Sequence, residues 1–334
     1  MAEDSQIVDQ IAPLTRMSDP QISGLNRVIN LCIRGLIPPE QIRQFAYGSV
    51  LDRLNAAELV AAFRPLVKQV EAARAHVFEV VSMYVFRSDV RWVGCRDFIR
   101  QLALQPSFAS TMNSSVDGHH WQEAVIKLLT ENHDEELAIE ATHQILEAQK
   151  HSELRYSQDT YHRPVLRLIF SRYADSCWPL VGAEILSPTC YLLRMLLGGH
   201  GFNDKETSVL WDVPVDTLVK WVRENPSGVQ RLLGMMVLFT VDEAGQYRWH
   251  PSALALFDEK LDDDCTSAVA SSLFSYGWSG SKIPHIDGRL QLVQALKVHP
   301  KAQVRRMAAE LTKMLEGDRR HEQKRDEEFS AGIL

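Results

Sequence analysis

The chain has 334 residues, of which 45% are hydrophobic and 24% charged, the balance of a globular protein that can bury a large core. Its net charge of −7 argues against a protein that holds nucleic acid mainly through bulk positive charge. The five cysteines are odd in number, widely spaced and without a C-x-x-C pair. They indicate buried thiols in a reducing compartment rather than a disulfide framework or a zinc site.

The N-terminal sequence does not have the pattern of a targeting segment. The start, MAEDSQIVDQIAPL, lacks the basic residues and the apolar run of a signal peptide. The most apolar stretch, residues 177–197, is interrupted by Glu184, by Arg194 and by two prolines, so it falls short of the about 18 apolar residues of a spanning helix. We therefore expect a cytoplasmic protein that does not enter a membrane.

Helical periodicity dominates the first third of the chain. Residues 1–20 are expected to form a loosely ordered lead-in to an N-terminal helical region over residues 21–106. Asn55 is suited to cap a helix, because Glu58 occupies the capping-box position three residues later. A polar loop over residues 107–120 is the first candidate boundary. Helices are predicted over residues 21–34, from Pro39, from Ala56, over 70–84 and over 91–104.

A helical, repeat-like region is predicted over residues 119–317. It opens with a hairpin of two helices from Trp121 to Lys150. The stretch 241–247 is its one strand candidate and would form either a small β-hairpin or a plain loop. Further helices are predicted over residues 161–173, from Pro188 to Gly198, over 212–223, over 226–239 and from Asp262 to about Phe274.

The last predicted hairpin carries the clearest pattern. Its second helix is expected to begin near Pro300 and to end at Gly317 in a left-handed cap, followed by a charged tail over residues 318–334. The apolar stripe of its first helix is Ile286, Leu290, Val293 and Leu296, and that of the second is Val304, Met307, Ala308, Leu311, Met314 and Leu315.

This hairpin resembles the HEAT repeat family. The residues that match its spacing are Pro300, Val304, Arg305, Ala308 and Leu311. A weaker copy places Leu137, Ala138 and Ala141 where Val304, Arg305 and Ala308 stand, with alanine in place of the arginine. The resemblance covers about thirty residues and implies an all-α fold, a HEAT-like array of antiparallel helical hairpins (an α-solenoid) with at most one minor β-hairpin.

The loop 275–281 leads into this hairpin and is rich in aromatic and glycine residues. Tyr276 and Trp278 would either pack under the last hairpin or form a contact site, because both side chains combine apolar area with a polar group. The loop and the hairpin together are loosely similar to the C-terminal helical regions of bacterial anti-phage defence proteins. That resemblance implies a scaffold or sensor in defence and transfers no catalytic residue.

The sequence offers few candidates for chemistry. His119, His120 and Glu123 lie close together, but a zinc site on a helix needs histidines four residues apart and a further ligand. Glycines 198, 199 and 201 follow a predicted helix, whereas a phosphate cradle needs glycines before one. Three acidic residues, 262–264, are accounted for by helix capping. We therefore predict no catalytic residues, no metal and no cofactor.

The function predicted from these observations is that of a non-catalytic helical scaffold that binds a protein partner. Its candidate contact residues are Tyr276, Trp278, Arg305 and Arg306. Two alternatives stay open, an enzyme whose active site is assembled from distant residues and a nucleic-acid-binding scaffold. The second alternative would use Arg305, Arg306, Arg319, Arg320, Lys324 and Arg325.

Elemental analysis of the purified protein tests the interpretation of the histidine cluster. We expect no stoichiometric transition metal. One zinc per chain that disappears when His119 and His120 are both replaced by alanine would show that the cluster is a metal site.

Overall fold

The computed structural model describes residues 21–330 apart from 47–48, 105–114, 133, 152–154, 199–206, 260, 262–263 and 275–280. The chain divides into two compact units, residues 1–161 and 162–334. Helices account for most of the described residues, and the described part contains one two-stranded sheet. The prediction of an all-α protein with one minor β-hairpin is confirmed. The units meet at Tyr161 and His162, whereas the sequence suggested a boundary in the 107–120 loop.

The first unit is built from helices that follow one another closely. α5 is its most buried member, because residues on nearly every side of the helix are covered, among them Val77, Phe78, Val81 and Tyr84. The helices are α1 (Gln21–Ile33), α2 (Gln41–Ala46), α3 (Ser49–Arg53), α4 (Ala56–Gln69), α5 (Ala73–Val85), α6 (Asp89–Ala103), α7 (Ser115–Asn132), α8 (Glu135–His151) and the start of α9 (Arg155–Leu186).

The cap predicted at Asn55 is present in this unit, and Asp134 forms a second cap. Asn55 accepts a hydrogen bond from the Glu58 N–H at 3.0 Å, and the Glu58 carboxylate accepts one from the Asn55 N–H at 2.9 Å, so the capping box is complete. Asp134 accepts from the Leu137 N–H at 3.0 Å and from Arg100 at 2.8 Å. Burial acts to raise the pKa of Asp134, but these hydrogen bonds outweigh it and hold the pKa below its usual range.

The polar loop predicted over residues 107–120 does not extend to residue 120. α7 begins at Ser115, so His119 and His120 lie within a helix, while residues 105–114 lie outside the described part of the chain.

The second unit contains the rest of α9 and the remaining elements. α9 has a non-helical residue at Tyr173 (φ −131°, ψ 27°) and carries Pro164 and Pro179 inside it. The predicted α-helix from Pro188 is instead a 3₁₀ turn, Cys190–Leu193, and a π-helical turn, Arg194–Gly198. The other elements are a 3₁₀ turn (Val209–Asp212), α10 (Val215–Glu224), α11 (Gly228–Met235), β1 (Phe239–Val241), β2 (Tyr247–Trp249), α12 (Pro251–Phe257), α13 (Asp264–Phe274), α14 (Ile283–Leu296) and α15 (Ala302–Ser330).

The β-hairpin packs on α14. β1 and β2 are antiparallel, with Phe239 opposite Trp249, and Gly245 turns the chain at φ +76°. The Trp249 indole donates to the Leu292 carbonyl at 2.9 Å, while the Tyr247 ring lies so close to Gly288 that a Cβ there would overlap it. The predicted helix over residues 226–239 therefore ends early, because Phe239 belongs to this strand pair.

The final hairpin buries most of the residues predicted to face inward, although Leu290 is only half-buried. Val304, Ala308 and Leu311 are fully buried, and Arg305 is exposed. Met314 was predicted to face inward and is instead 47% exposed. The predicted end at Gly317 is wrong, because α15 continues to Ser330.

Charged contacts explain why α15 continues. Glu322 is 1% exposed and accepts from the Lys282 N–H at 3.1 Å, at the start of α14, where a carboxylate is stabilised by the helix dipole. It also pairs with Arg325. Arg319 donates to Asp287 at 2.7 Å. The predicted charged tail therefore begins as a helix that is attached to the N-terminal end of α14.

Replacing Leu311 with alanine tests the packing of this hairpin. Loss of the buried side chain should cost roughly 2–5 kcal/mol of the free energy of unfolding, because it removes apolar contacts and leaves a cavity. The half-exposed Met314 on the same helix provides the control, and Met314→Ala should cost less than about 1 kcal/mol.

Hydrogen exchange locates the damage. We expect Leu311→Ala to accelerate exchange in residues 281–330 and to leave α7 and α8 unchanged, since those helices belong to the other compact unit. Equal acceleration in both units would contradict this expectation and would indicate one cooperative core.

Candidate functional site

A cleft of about 520 Å³ opens between the C-terminal half of α9 and α10 in the second unit. This volume lies within the range of small-molecule and peptide side-chain pockets, roughly 300–1,000 Å³. Both walls are helices, so the positions of the lining side chains follow from helical spacing.

The α9 wall is lined by Asp175, Pro179, Ala183 and Leu186. Their spacing of four, four and three residues places them on one face of the helix. Pro179 has no N–H, so the Asp175 carbonyl does not receive a hydrogen bond from the residue four positions later. The wall therefore combines a small apolar surface with acceptors at the Asp175 end.

The α10 wall is lined by Thr217, Lys220, Trp221 and Glu224. Pro214 starts this helix, and apolar residues recur on its inner face at Leu218, Trp221 and Val222. Lys220 and Glu224 are exposed at the edge of the same wall. The wall is therefore apolar at depth and charged at the rim.

Two tryptophans form the floor of the cleft. Trp178 and Trp221 are 2% and 7% exposed and meet edge to face, with ring centroids 5.6 Å apart. The Trp221 indole lies against Gly182 on one side and Gly228 on another, and a Cβ at either glycine would overlap the ring. The absence of side chains at these two positions is therefore what admits the indole.

Polar contacts hold the two ends of the cleft. The Thr217 hydroxyl donates to Asp175 at 3.1 Å, which joins the two walls. At the other end the Asn225 amide donates to the Trp221 carbonyl at 3.0 Å and keeps its oxygen as an acceptor. The buried Nε1–H of Trp178 finds no acceptor in the described part of the chain, so the floor carries an unsatisfied donor.

The side chains that line the cleft include one hydroxyl paired with a carboxylate, since Thr217 donates to Asp175 at the rim. Among the described residues that line the cleft there is no histidine or cysteine. Among the described residues, no three histidine, cysteine, aspartate or glutamate side chains are grouped so that they could hold a metal ion. His119 and Glu123 are exposed on α7, and the His120 ring stacks on Phe86 with centroids 5.9 Å apart.

The two predicted contact residues that the structure describes, Arg305 and Arg306, do not line the cleft. Tyr276 and Trp278 fall in 275–280, outside the described residues. Arg305 donates to the carbonyls of His299 and Pro300 at 2.7 and 2.6 Å, so it closes the turn of its own hairpin. Arg306 is exposed on α15. None of the cleft residues was predicted as a site, although a tryptophan followed by a proline inside an apolar helix was an available signal.

The cations proposed for nucleic acid are largely engaged in intramolecular contacts. Arg305 binds its turn carbonyls, Arg319 pairs with Asp287, and Arg325 pairs with Glu322. Lys324 lies 3.5 Å from Glu328. This geometry does not favour a basic phosphate-binding surface on α15.

α10 and α11 have the order and spacing of a helix-turn-helix, with residues 225–227 between them. In a DNA reader the second helix must be exposed to enter the major groove. α11 instead packs against α13 and buries Val229, Leu232 and Leu233. Arg231 donates to the carbonyls of Ile185 and Ser187 at 2.9 and 2.8 Å, at the end of α9. In this chain the helix pair is therefore part of the packed core and does not present a free recognition helix.

No family model, curated protein or solved structure matches the chain. None of the helices in the described residues combines the length and the apolar character needed to cross a membrane.

Replacing Gly182 with alanine tests the floor of the cleft. The added methyl group would overlap the Trp221 indole, so we expect a loss of about 1–3 kcal/mol in the free energy of unfolding and a shift of tryptophan emission. Gly317→Ala is the control, because nothing lies within 4 Å of a Cβ at that position and the change should be neutral or stabilising. An unchanged stability for Gly182→Ala would contradict the described packing of Trp221.

Proposed function

We propose that the chain is a non-catalytic α-helical scaffold that binds a protein partner in the cleft between α9 and α10. The observation that carries this proposal is the cleft itself, an open groove with an apolar, tryptophan-containing floor and charged rims. Grooves of this kind accept apolar anchors of a partner, and tryptophan is enriched among residues that dominate binding energy.

The arrangement that we infer for the first unit is a short HEAT-like array. Its support is the packing order, since α4 packs on α5 and α6, α5 on α6 and α7, and α6 on α7. Within α4–α7, each helix thus packs on the next described helix or the next two, as is expected when helical hairpins stack along one direction. Such an array would present a further surface for assembly.

The biological setting that we propose follows the resemblance of the final segment to bacterial defence proteins. In that setting the chain would act in the cytoplasm as a sensor or adaptor of a defence complex. The scaffold proposal does not depend on this setting, because it rests on the cleft.

Blocking the cleft tests the proposed function. Ala183 is exposed on the α9 wall, so Ala183→Trp should fill the groove without disturbing the floor. Ala309→Trp on the exposed face of α15 is the matched control. Each variant and the unmodified chain would be used for affinity capture from the native host, with quantitative mass spectrometry.

We expect one protein to be captured by the unmodified chain and by Ala309→Trp, and to be lost with Ala183→Trp. That protein, once purified, should bind the unmodified chain in calorimetry and should not bind Ala183→Trp. Capture that is indifferent to Ala183→Trp would overturn the proposal. A stoichiometric nucleotide in the purified chain would support the enzyme alternative. Bound nucleic acid whose affinity falls steeply with added salt would support the nucleic-acid-binding scaffold.

A further inference from the structure

The cleft has hydrogen-bond acceptors at both of its ends. One end has the Asp175 carboxylate, which uses one acceptor position for Thr217, and the Asp175 carbonyl, which Pro179 leaves without its helical donor. The other end has the Glu224 carboxylate and the side-chain oxygen of Asn225. Two neighbouring acceptors at each end are best satisfied by a group that has several N–H donors and a positive charge.

The charges around the cleft also favour a positively charged occupant. Asp175 and Glu224 are exposed at its rim, and Lys220 is the one cation among the described residues that line it. No ion pair with either Glu224 or Lys220 occurs in the described part of the chain. The rim is therefore net negative, on a chain whose net charge is −7. A partner of positive charge would be attracted at long range and held at both ends.

The middle of the cleft has a different chemistry from its ends. Pro179, Ala183 and Leu186 line one wall, and the tryptophan pair closes the floor. Seven residues of α10 separate Thr217 from Glu224, which is a rise of about 10 Å. An occupant that suits both regions has an apolar side chain at its centre and cationic side chains on each side.

We propose that the occupant of the cleft is a segment of a protein partner in which one or two large apolar residues are flanked on both sides by lysine or arginine. This rests on the proposed function, because it names the chemistry of the partner that the scaffold binds. The apolar residue enters over Trp178 and Trp221, one cation meets Asp175, and the other meets Glu224. Lys220 remains available to a carboxylate or carbonyl of the same segment.

Two synthetic peptides test the inference on the full chain. Each has twelve residues and a central pair of leucines, and they differ only in whether lysine or glutamate flanks the leucines. Fluorescein-labelled peptide would be titrated with protein and followed by anisotropy. We expect the lysine-flanked peptide to bind saturably and its affinity to fall as salt is added. The affinity of the glutamate-flanked peptide should be lower by roughly tenfold or more.

Charge reversal at the rim should invert this preference. The double variant Asp175→Lys and Glu224→Lys should bind the lysine-flanked peptide about tenfold more weakly than the unmodified chain does. It should bind the glutamate-flanked peptide more tightly. The control is Glu310→Lys with Glu316→Lys on the exposed face of α15, which changes the net charge equally and should leave the preference as it was. Circular dichroism and denaturation would establish that each variant is folded.

Three results would overturn the inference. They are equal binding of both peptides, a preference that survives reversal at Asp175 and Glu224, and no saturable binding of the lysine-flanked peptide up to about 1 mM. If any of them occurs while Ala183→Trp still abolishes capture of the native partner, the scaffold function stands and the basic-segment inference falls. If Ala183→Trp changes neither capture nor peptide binding, both fall.

Discussion

The burial of one indole determines the arrangement of helices in the second unit. Trp221 is too large to lie between two packed helices unless the facing backbone has no side chain, and Gly182 and Gly228 supply that space on two sides. The ring then fixes α10 against α9 and against the start of α11. The cleft lies between α9 and α10, and the same indole forms part of its floor. The packing that buries the indole therefore also bounds the cleft.

Arginines on α9 and α11 make further contacts in the same unit. With α11 placed beside the end of α9, Arg231 reaches two carbonyls there and satisfies acceptors that a helix end would otherwise leave to water. Arg163 and Arg167 on α9 both bind the Thr207 carbonyl, at 2.7 and 2.8 Å, and Arg167 also binds Asp212. Burial raises the pKa of Asp212 although that guanidinium opposes the effect.

Features controlled by neighbouring residues were predictable from the sequence, and features controlled by distant contacts were not. The Asn55 cap, the hairpin turn near Gly245 and the buried stripe of Val304, Ala308 and Leu311 each depend on residues close in the chain. Gly317 is a strong local stop signal that was overridden, because Arg319 and Glu322 find partners on α14. The cleft was not predictable for the same reason, since it depends on which glycines face Trp221 and on a pairing of helices far apart in sequence.

The long final helix also fixes the axial register of its hairpin. Ser281, Lys282 and Asp287 meet Asp326, Glu322 and Arg319 in order, so a slip of α15 by one turn, about 5.4 Å, would separate all three pairs at once. The pairs differ in their sensitivity to ions. Asp287 and Arg319 are each about 40% exposed and are screened by salt, whereas the Glu322 side chain is 2% exposed and is not. Of these three polar pairs, the one made by the buried Glu322 carboxylate is therefore the least weakened by concentrated salt.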